Sequence, residues 1–351
     1  MTIYCDTNCA YHIESMGLSY TDNINQFISS PLPHIAVFRI PFPYDQGYGQ
    51  AFEKRVNLVY DNCDQIIILC SELHQRTIDF IQRYDRPKIV YFICGYLNQQ
   101  PIHSRVYQWI DWFIIASDFY KHNTHVLDTI ISNHPKNKIF DILLGQPKSH
   151  RTTIHNYINQ HSYNEQVIMT YMTDFNKTIQ QQNQSGWINE DGIEFPIEES
   201  KWTVTAIKYY GVSMTLSSVV PISIYNQTAY SIVAETNYEN HYSFFTEKIV
   251  KPILAERLFL VFSGQYYLRN LRRLGFKTFD GIIDESYDNV EDTNLRFQLI
   301  FKQMEYLFAT PQEEVLQQIH NIVQHNKRVM LETEWVGQFH ANLKPVLIET
   351  K

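Results

Sequence analysis

The 351-residue chain is 44% hydrophobic and 14% aromatic, too apolar for a disordered chain and long enough for two hydrophobic cores. A net charge of −8 and a pI near 5.9 exclude a general nucleic-acid coat, because neutralising a phosphate backbone needs a basic surface. The apolar runs are far shorter than a membrane span, and MTIYCDTNCAYHIES lacks a basic start followed by an apolar stretch, so the expectation is a cytoplasmic protein with no membrane span.

Taken in chain order, the cysteines come first. Cys5, Cys9, Cys63, Cys70 and Cys94 are odd in number and show no CxxC spacing, against a disulfide framework or metal ligands, and Cys70 and Cys94, in apolar runs, read as small buried thiols. QIIILC (65–70) predicts a strand, ELHQRTIDFIQRY a helix and PKIVYFIC (87–94) another strand. YQWIDWFIIAS (107–117) continues the series as an apolar run, with a helix pattern from Asp118. This alternation predicts βαβ units and a parallel sheet covered by helices.

NHPKNK (133–138) is a polar, proline-containing break that reads as a linker. After it KIFDILLG (138–145) predicts a strand, SHRTTIHNYINQH a helix and QVIMTYM (166–172) a strand. TIQQQNQSGWINEDG (178–192) reads as a polar surface insertion. AYSIVAET (229–236) and LFLVFSG (258–264) read as buried parallel strands flanking a helix. Thr310-Pro311-Gln312-Glu313 has capping-box spacing, with Pro at the first helical position of a helical C-terminal stretch. The fold class is therefore α/β. Two doubly wound, Rossmann-like domains facing a cleft are expected over 1–135 and 136–308, followed by C-terminal helices over 309–351.

FFTEKIVKPILAERLFLVFSG (244–264) carries the most chemistry. Thr246 is a good N-cap, and Phe245, Ile249 and Ile253 give the following helix a buried stripe. Its N-terminus follows the carboxyl end of a strand, the edge at which open α/β sheets bind ligands, and offers free N–H groups and a positive dipole end. A diphosphate fits there, with Lys248 adding charge and Glu247 accepting hydrogen bonds from ribose or sugar hydroxyls. The plain alternative makes Glu247 a helix-start carboxylate and Lys248 a solvated cation. Pro252 lies past the first turn and deprives the Lys248 carbonyl of its usual partner, which implies a kink or a later helix start.

SIVAETNYENHYSFFTEKIVKPILAERLFLVFSGQYYLRNLRRLGFKTFDGIIDESYD (231–288) resembles the donor-binding segment of GT-B glycosyltransferases. It is similar to the α-1,3-fucosyltransferases, with their Thr-Glu-Lys before a helix and strand, and more so to viral and bacterial glycosyltransferase-like proteins carrying TEK, KPI, LGFKTF and IDESYD in this order. FDILLGQPKSHR (140–151) resembles the stretch in which such enzymes set an arginine on the donor phosphates, and Arg151 is the matching residue. Its plain reading is a surface arginine at a helix start.

The resemblance implies that Lys248 and Arg151 neutralise the pyrophosphate of a nucleotide-diphosphate sugar, that Glu247 holds ribose or sugar, and that Glu235 reaches a donor hydroxyl. The implied activity is metal-independent sugar transfer to a hydroxyl acceptor, a glycan or small molecule, with no cofactor beyond the nucleotide sugar. Two alternatives stand beside it. One is the same chemistry on a hydroxylated base of viral DNA, which the acidic pI disfavours; the other is a non-catalytic sugar-nucleotide-binding protein.

A catalytic base is expected from the first domain. Glu72 and His74 follow IIILC at its carboxyl end and Asp118 follows WFIIAS, and each reads equally as a cap of the next helix. The chain has no D-x-D, the metal-anchoring pair of GT-A enzymes, and DESYDNVED (284–292) lacks EF-hand ligand order, so it reads as a solvated, helix-capping run. Arg269, Arg272, Arg273 and Lys277 form a basic cluster at helical spacing, either a solvated face or a contact to an anionic acceptor.

Overall fold

Strand segments rich in Val, Ile, Leu and Phe and buried on both faces build two parallel sheets, the pattern expected when helices cover a sheet. The computed structural model describes residues 2–6, 10–29, 34–40, 46–132, 134–145, 147–171, 190–194 and 206–348. The chain divides into a first unit, Met1–Ile114 with His241–Phe244 and Glu334–Lys351, and a second, Ile115–Asn240 with Phe245–Thr333. The division thus falls within a helix at Ile114 rather than at NHPKNK, and the C-terminal helices are shared between the units. The polar insertion expected over 178–192 lies, up to Asn189, outside the described residues.

In the first unit β1 (Thr2–Cys5), β2 (His34–Arg39), β3 (Gln65–Cys70), β4 (Ile89–Ile93) and β6 (Arg105–Gln108) lie parallel in the order β1-β2-β3-β4-β6. The order never reverses, and right-handed crossovers then send the helices after β2 and β3 to a common face. Phe38 meets Phe52 of helix Gln46–Tyr60 there, and Phe52 meets Phe80 of helix Gln75–Arg83. The other face, Ile3, Val37, Ile67, Leu69, Val90 and Phe92, is closed by Ile13 of helix Ala10–Glu14, by Trp109, and by Phe339, Leu343, Val346 and Leu347 of helix Trp335–Ile348. Double winding, expected of both sheets, is absent from this one. The short β5 (Gly95–Leu97) pairs antiparallel with Tyr242–Phe244. A Cβ on Gly95 would lie 1.8 Å from the Ser243 carbonyl oxygen, so this pairing requires glycine.

The apolar run over 107–117 is not one strand. β6 stops at Gln108, and helix Asp111–His122 follows. Phe113, Ala116, Ser117, Phe119 and Tyr120 are its buried positions, at helical spacing. A run apolar at nearly every position hides its period.

In the second unit β7 (Lys138–Leu144) and β8 (Val167–Tyr171) are followed by a small antiparallel sheet of β9 (Ile193–Glu194), β10 (Ala206–Tyr209) and β11 (Val212–Thr215). β12 (Thr228–Ala234) returns to the other side of β7, and β14 (Phe259–Phe262) joins β12, β13 being the Tyr242–Phe244 strand already met. The order β14-β12-β7-β8 is parallel throughout and reverses direction between β7 and β12. Behind that junction Arg257, 5% exposed, donates to Asp141, Ser231, Thr228 and three backbone carbonyls, and lies over the Tyr225 ring. Its donors are fully used, which is the condition for tolerating a buried ion pair.

The capping box at 310–313 does not form. Pro311 takes the N-cap position of helix Gln312–Glu332, and the Thr310 hydroxyl donates back to the Tyr306 carbonyl of the preceding helix. Nor is DESYDNVED solvated throughout. Glu285 is buried on Thr278, Phe279 N and Arg272, and buried Asp288 accepts from Leu268 N and Arg269 N at the start of helix Tyr267–Arg273. Of the basic cluster, Arg272, Arg273 and Lys277 are exposed, and Arg269 lies over the Tyr266 ring.

Candidate functional site

The reversal between β7 and β12 is where an open α/β sheet splays its loops apart and leaves a crevice at the carboxyl ends of its strands. Helix Ser149–Gln160 starts after β7, and helix Glu247–Leu254 after β12. Thr246 is the N-cap predicted, its hydroxyl accepting from Lys248 N at 3.3 Å, and Phe245, Ile249 and Ile253 form the buried stripe. The helix begins at Glu247 despite Pro252, which lies inside it. Pro252 and Lys248, with Asp141, Ser231 and Lys251, line a cavity of about 30 Å³ between this helix and strands β7 and β12.

Glu235, directly after β12, is fully buried. Its Oε2 accepts from the Thr246 hydroxyl at 2.6 Å and from Thr236 N at 3.2 Å; its Oε1 accepts from the Tyr267 hydroxyl at 2.7 Å and Thr246 N at 3.4 Å. Both oxygens are committed to protein donors, so Glu235 does not reach a ligand hydroxyl as expected; it fixes the cap of the helix that follows. Burial holds its carboxyl above the ordinary range, against the opposing pull of Lys248 and of the two hydroxyls.

The predicted cations meet at this edge. Arg151, 4% exposed and thus no surface arginine, donates to the Glu235 carbonyl at 3.3 Å and interacts with the charges of Glu247 and Glu235. Lys248 Nζ pairs with Glu247 Oε1 at 2.6 Å and donates to the Thr236 hydroxyl at 3.2 Å. Burial disfavours the charge of Glu247, but Lys248 and Lys251 outweigh it and hold the carboxyl below its usual range. Lys251, one turn on, is pushed down by burial to about 8.

Three neighbours escaped the sequence reading. Lys148, the N-cap residue of helix Ser149–Gln160, reaches across the junction and donates to the Thr236 carbonyl at 2.5 Å and to Asn237 Oδ1 at 3.2 Å. Thr236 is touched by both lysines. His150 is 1% exposed, and its Nε2 donates to the Glu235 carbonyl at 2.9 Å, while Nδ1 has no hydrogen-bond partner among the described residues. Burial, with Arg151, Lys148 and Lys248 nearby, pushes the imidazole down to about 3, so it is neutral. The available signal was PKSHR itself, three basic-type residues in the loop and first turn after a strand.

Of the residues proposed as base, Glu72 and His74 belong to the first unit and Asp118 to the second. His74 is the N-cap of helix Gln75–Arg83, its Nδ1 accepting from Thr77 N at 3.1 Å, so its plain reading as a cap is the one realised. Asp118 does not end a strand: it lies exposed within helix Asp111–His122. Glu72 is half-buried in the loop after β3. Among the described residues no group of three or more His, Cys, Asp or Glu side chains could hold a metal ion, and no helix is long and apolar enough to cross a membrane.

Chemically, the edge offers two helix N-termini and the side chains of Lys148, Arg151 and Lys248 against the carboxylates of Glu235 and Glu247. That is an anion-binding arrangement with one carboxylate, Glu247, at its margin. No protein-family model matches the chain, and no curated protein matches it.

Proposed function

We propose that the chain is a GT-B glycosyltransferase of the α-1,3-fucosyltransferase-like kind, moving a sugar from a nucleotide-diphosphate sugar to a hydroxyl acceptor. One observation carries this reading: Arg151 and Lys248, which lie in separate resemblances, come together at the strand-order reversal of the second sheet. In this mechanism the diphosphate lies on the first turns of the two helices, with Lys248 and Arg151 neutralising it. Recruiting Lys248 to phosphate releases the Glu247 carboxylate to accept from ribose or sugar hydroxyls. Charge developing on the leaving diphosphate is met by fixed cations and N–H groups. Glu72, half-buried in the loop after β3, is the base candidate this reading keeps.

Titration calorimetry with UDP and GDP tests the site. Lys248→Ala should weaken binding by roughly 1.5–3 kcal/mol, the range for a hydrogen bond to a charged group. Unchanged affinity would return Lys248 to the role of a surface cation. Transfer should also persist in excess EDTA, since protein cations stabilise the leaving group; loss of activity restored by manganese or magnesium would overturn that part.

A second reading, a sugar-nucleotide-binding protein without catalysis, is favoured by the use of His74 as a helix cap and by the helical position of Asp118. Donor hydrolysis without acceptor separates the two: a slow leak marks the enzyme, and tight binding with no hydrolysis marks the binder.

A further inference from the structure

Thr236 is the residue on which both cationic loops close. Its carbonyl accepts from Lys148 and its hydroxyl from Lys248, while Asn237 Oδ1 takes a second bond from Lys148. Lys148 precedes the helix after β7 and Lys248 lies in the first turn of the helix after β12, so three oxygens of one short turn span the crevice between two ammonium groups. A phosphoryl group would present the same thing, several acceptor oxygens between the same cations. The difference is charge: the three turn oxygens are neutral, whereas a phosphoryl oxygen offers both ammoniums an ion pair, which for Lys248 exchanges with the one it has on Glu247.

Building on the nucleotide-sugar reading above, we propose that the Thr236–Asn237 turn is a built-in occupant of the diphosphate site, exchanged by Lys148 and Lys248 for the oxygens of the ligand. Lys148 then joins Lys248 and Arg151 as a phosphate-binding residue, and the turn is released. The release is local, because both flanks are fastened. Glu235 is held by Thr246 and Tyr267, and the Tyr238 carbonyl accepts from buried Arg296 at 3.4 Å while its hydroxyl is 2.7 Å from Ser149 Oγ. The ligand therefore competes with the chain itself, and removing the two side-chain oxygens among its competitors should tighten binding.

Calorimetry with UDP, GDP and inorganic pyrophosphate on the full chain tests this. Lys148→Met should lower affinity roughly tenfold or more and Lys148→Arg much less, whereas the double variant Thr236→Ala/Asn237→Ala should raise it by about fivefold. Circular dichroism confirms that each variant is folded. A second measurement needs no variant: hydrogen exchange of the 236–240 segment in the wild-type chain should quicken when pyrophosphate saturates the site, contrary to the usual protection by a ligand. If the wild type binds and Lys248→Met weakens binding while Lys148→Met and the double variant change nothing, the occupant role is wrong and the nucleotide-sugar reading stands. Slower exchange in 236–240 on binding also overturns the occupant role. If the wild type binds none of the three probes, the nucleotide-sugar reading fails, and the occupant with it.

Discussion

Among the described residues at the carboxyl ends of the first sheet, Arg39 pairs with Asp111 and Ser71 over the Trp109 ring, Arg55 pairs with Asp6, and His74 caps a helix. At those of the second, Arg151, Lys148 and Lys248 converge on one turn, and Glu235, buried beneath, braces the helix start. Strand order separates the two. A sheet that never reverses sends successive loops the same way, whereas a reversal sends neighbouring loops to opposite faces and opens a crevice. Parallel strands alone do not open such a crevice; the point of reversal does. The sheets also differ inside, since a row of apolar side chains closes the first and a buried ion pair lies within the second.

The ion pair gives the sharpest way to break the comparison. Arg257→Met strands Asp141 in the core, and should cost roughly 3–5 kcal/mol in urea unfolding. A loss below about 1 kcal/mol would mean that the ionic centre of the second sheet is as dispensable as a surface pair.

His150 tests whether the charged edge titrates. Its folded pKa of about 3 lies below the unfolded value, so the unfolded chain takes up the proton first as pH falls. The contribution is therefore complete above about pH 6.5 and is lost progressively towards pH 3. From this group alone, wild type should lose roughly 1.5 kcal/mol between pH 6.5 and pH 5, and His150→Gln should lack that loss. Glu235 and Asp141, raised by burial, act in the opposite sense in both proteins, so the difference between the two is the quantity to read. Parallel pH profiles would show that the imidazole is protonated in the folded chain.

Two caps give the smallest effects and the closest match. Thr246→Ala and His74→Ala should each cost about 1 kcal/mol of stability. Only Thr246→Ala should also weaken diphosphate binding. If His74→Ala weakens it equally, the functional asymmetry between the sheets disappears.

Much of this fold can be read from local pattern. β3, β4, β7, β8, β12 and β14 stand out as short apolar runs between turn signals, and Thr246 with its buried stripe announces the helix of the site. Helix Asp111–His122 is misread because Trp109 to Tyr120 is apolar too often for either period to show. Strand order is invisible for another reason: pairing of β7 with β12 joins segments separated by helix Ser149–Gln160, β8, the small antiparallel sheet and a further short helix, and no local signal encodes it. The same holds for the site. Arg151, Glu247 and Lys248 are typed by their neighbours in sequence, but the use of Glu235 as a brace and of Lys148 as a bridge depends on loops brought together only by folding.

The helix Trp335–Ile348, which closes the second face of the first sheet, also sets a schedule for biosynthesis. The strands of that sheet leave the ribosome early, yet Phe339, Leu343, Val346 and Leu347, which complete their core, are made after the whole of the second unit. Domains usually fold as they emerge. Until then Ile3, Val37, Ile67 and Phe92 lack the cover of that helix while the rest of the chain is translated. A nascent chain halted before Trp335 would present that apolar face to chaperones, so the unit that starts first is the one finished last.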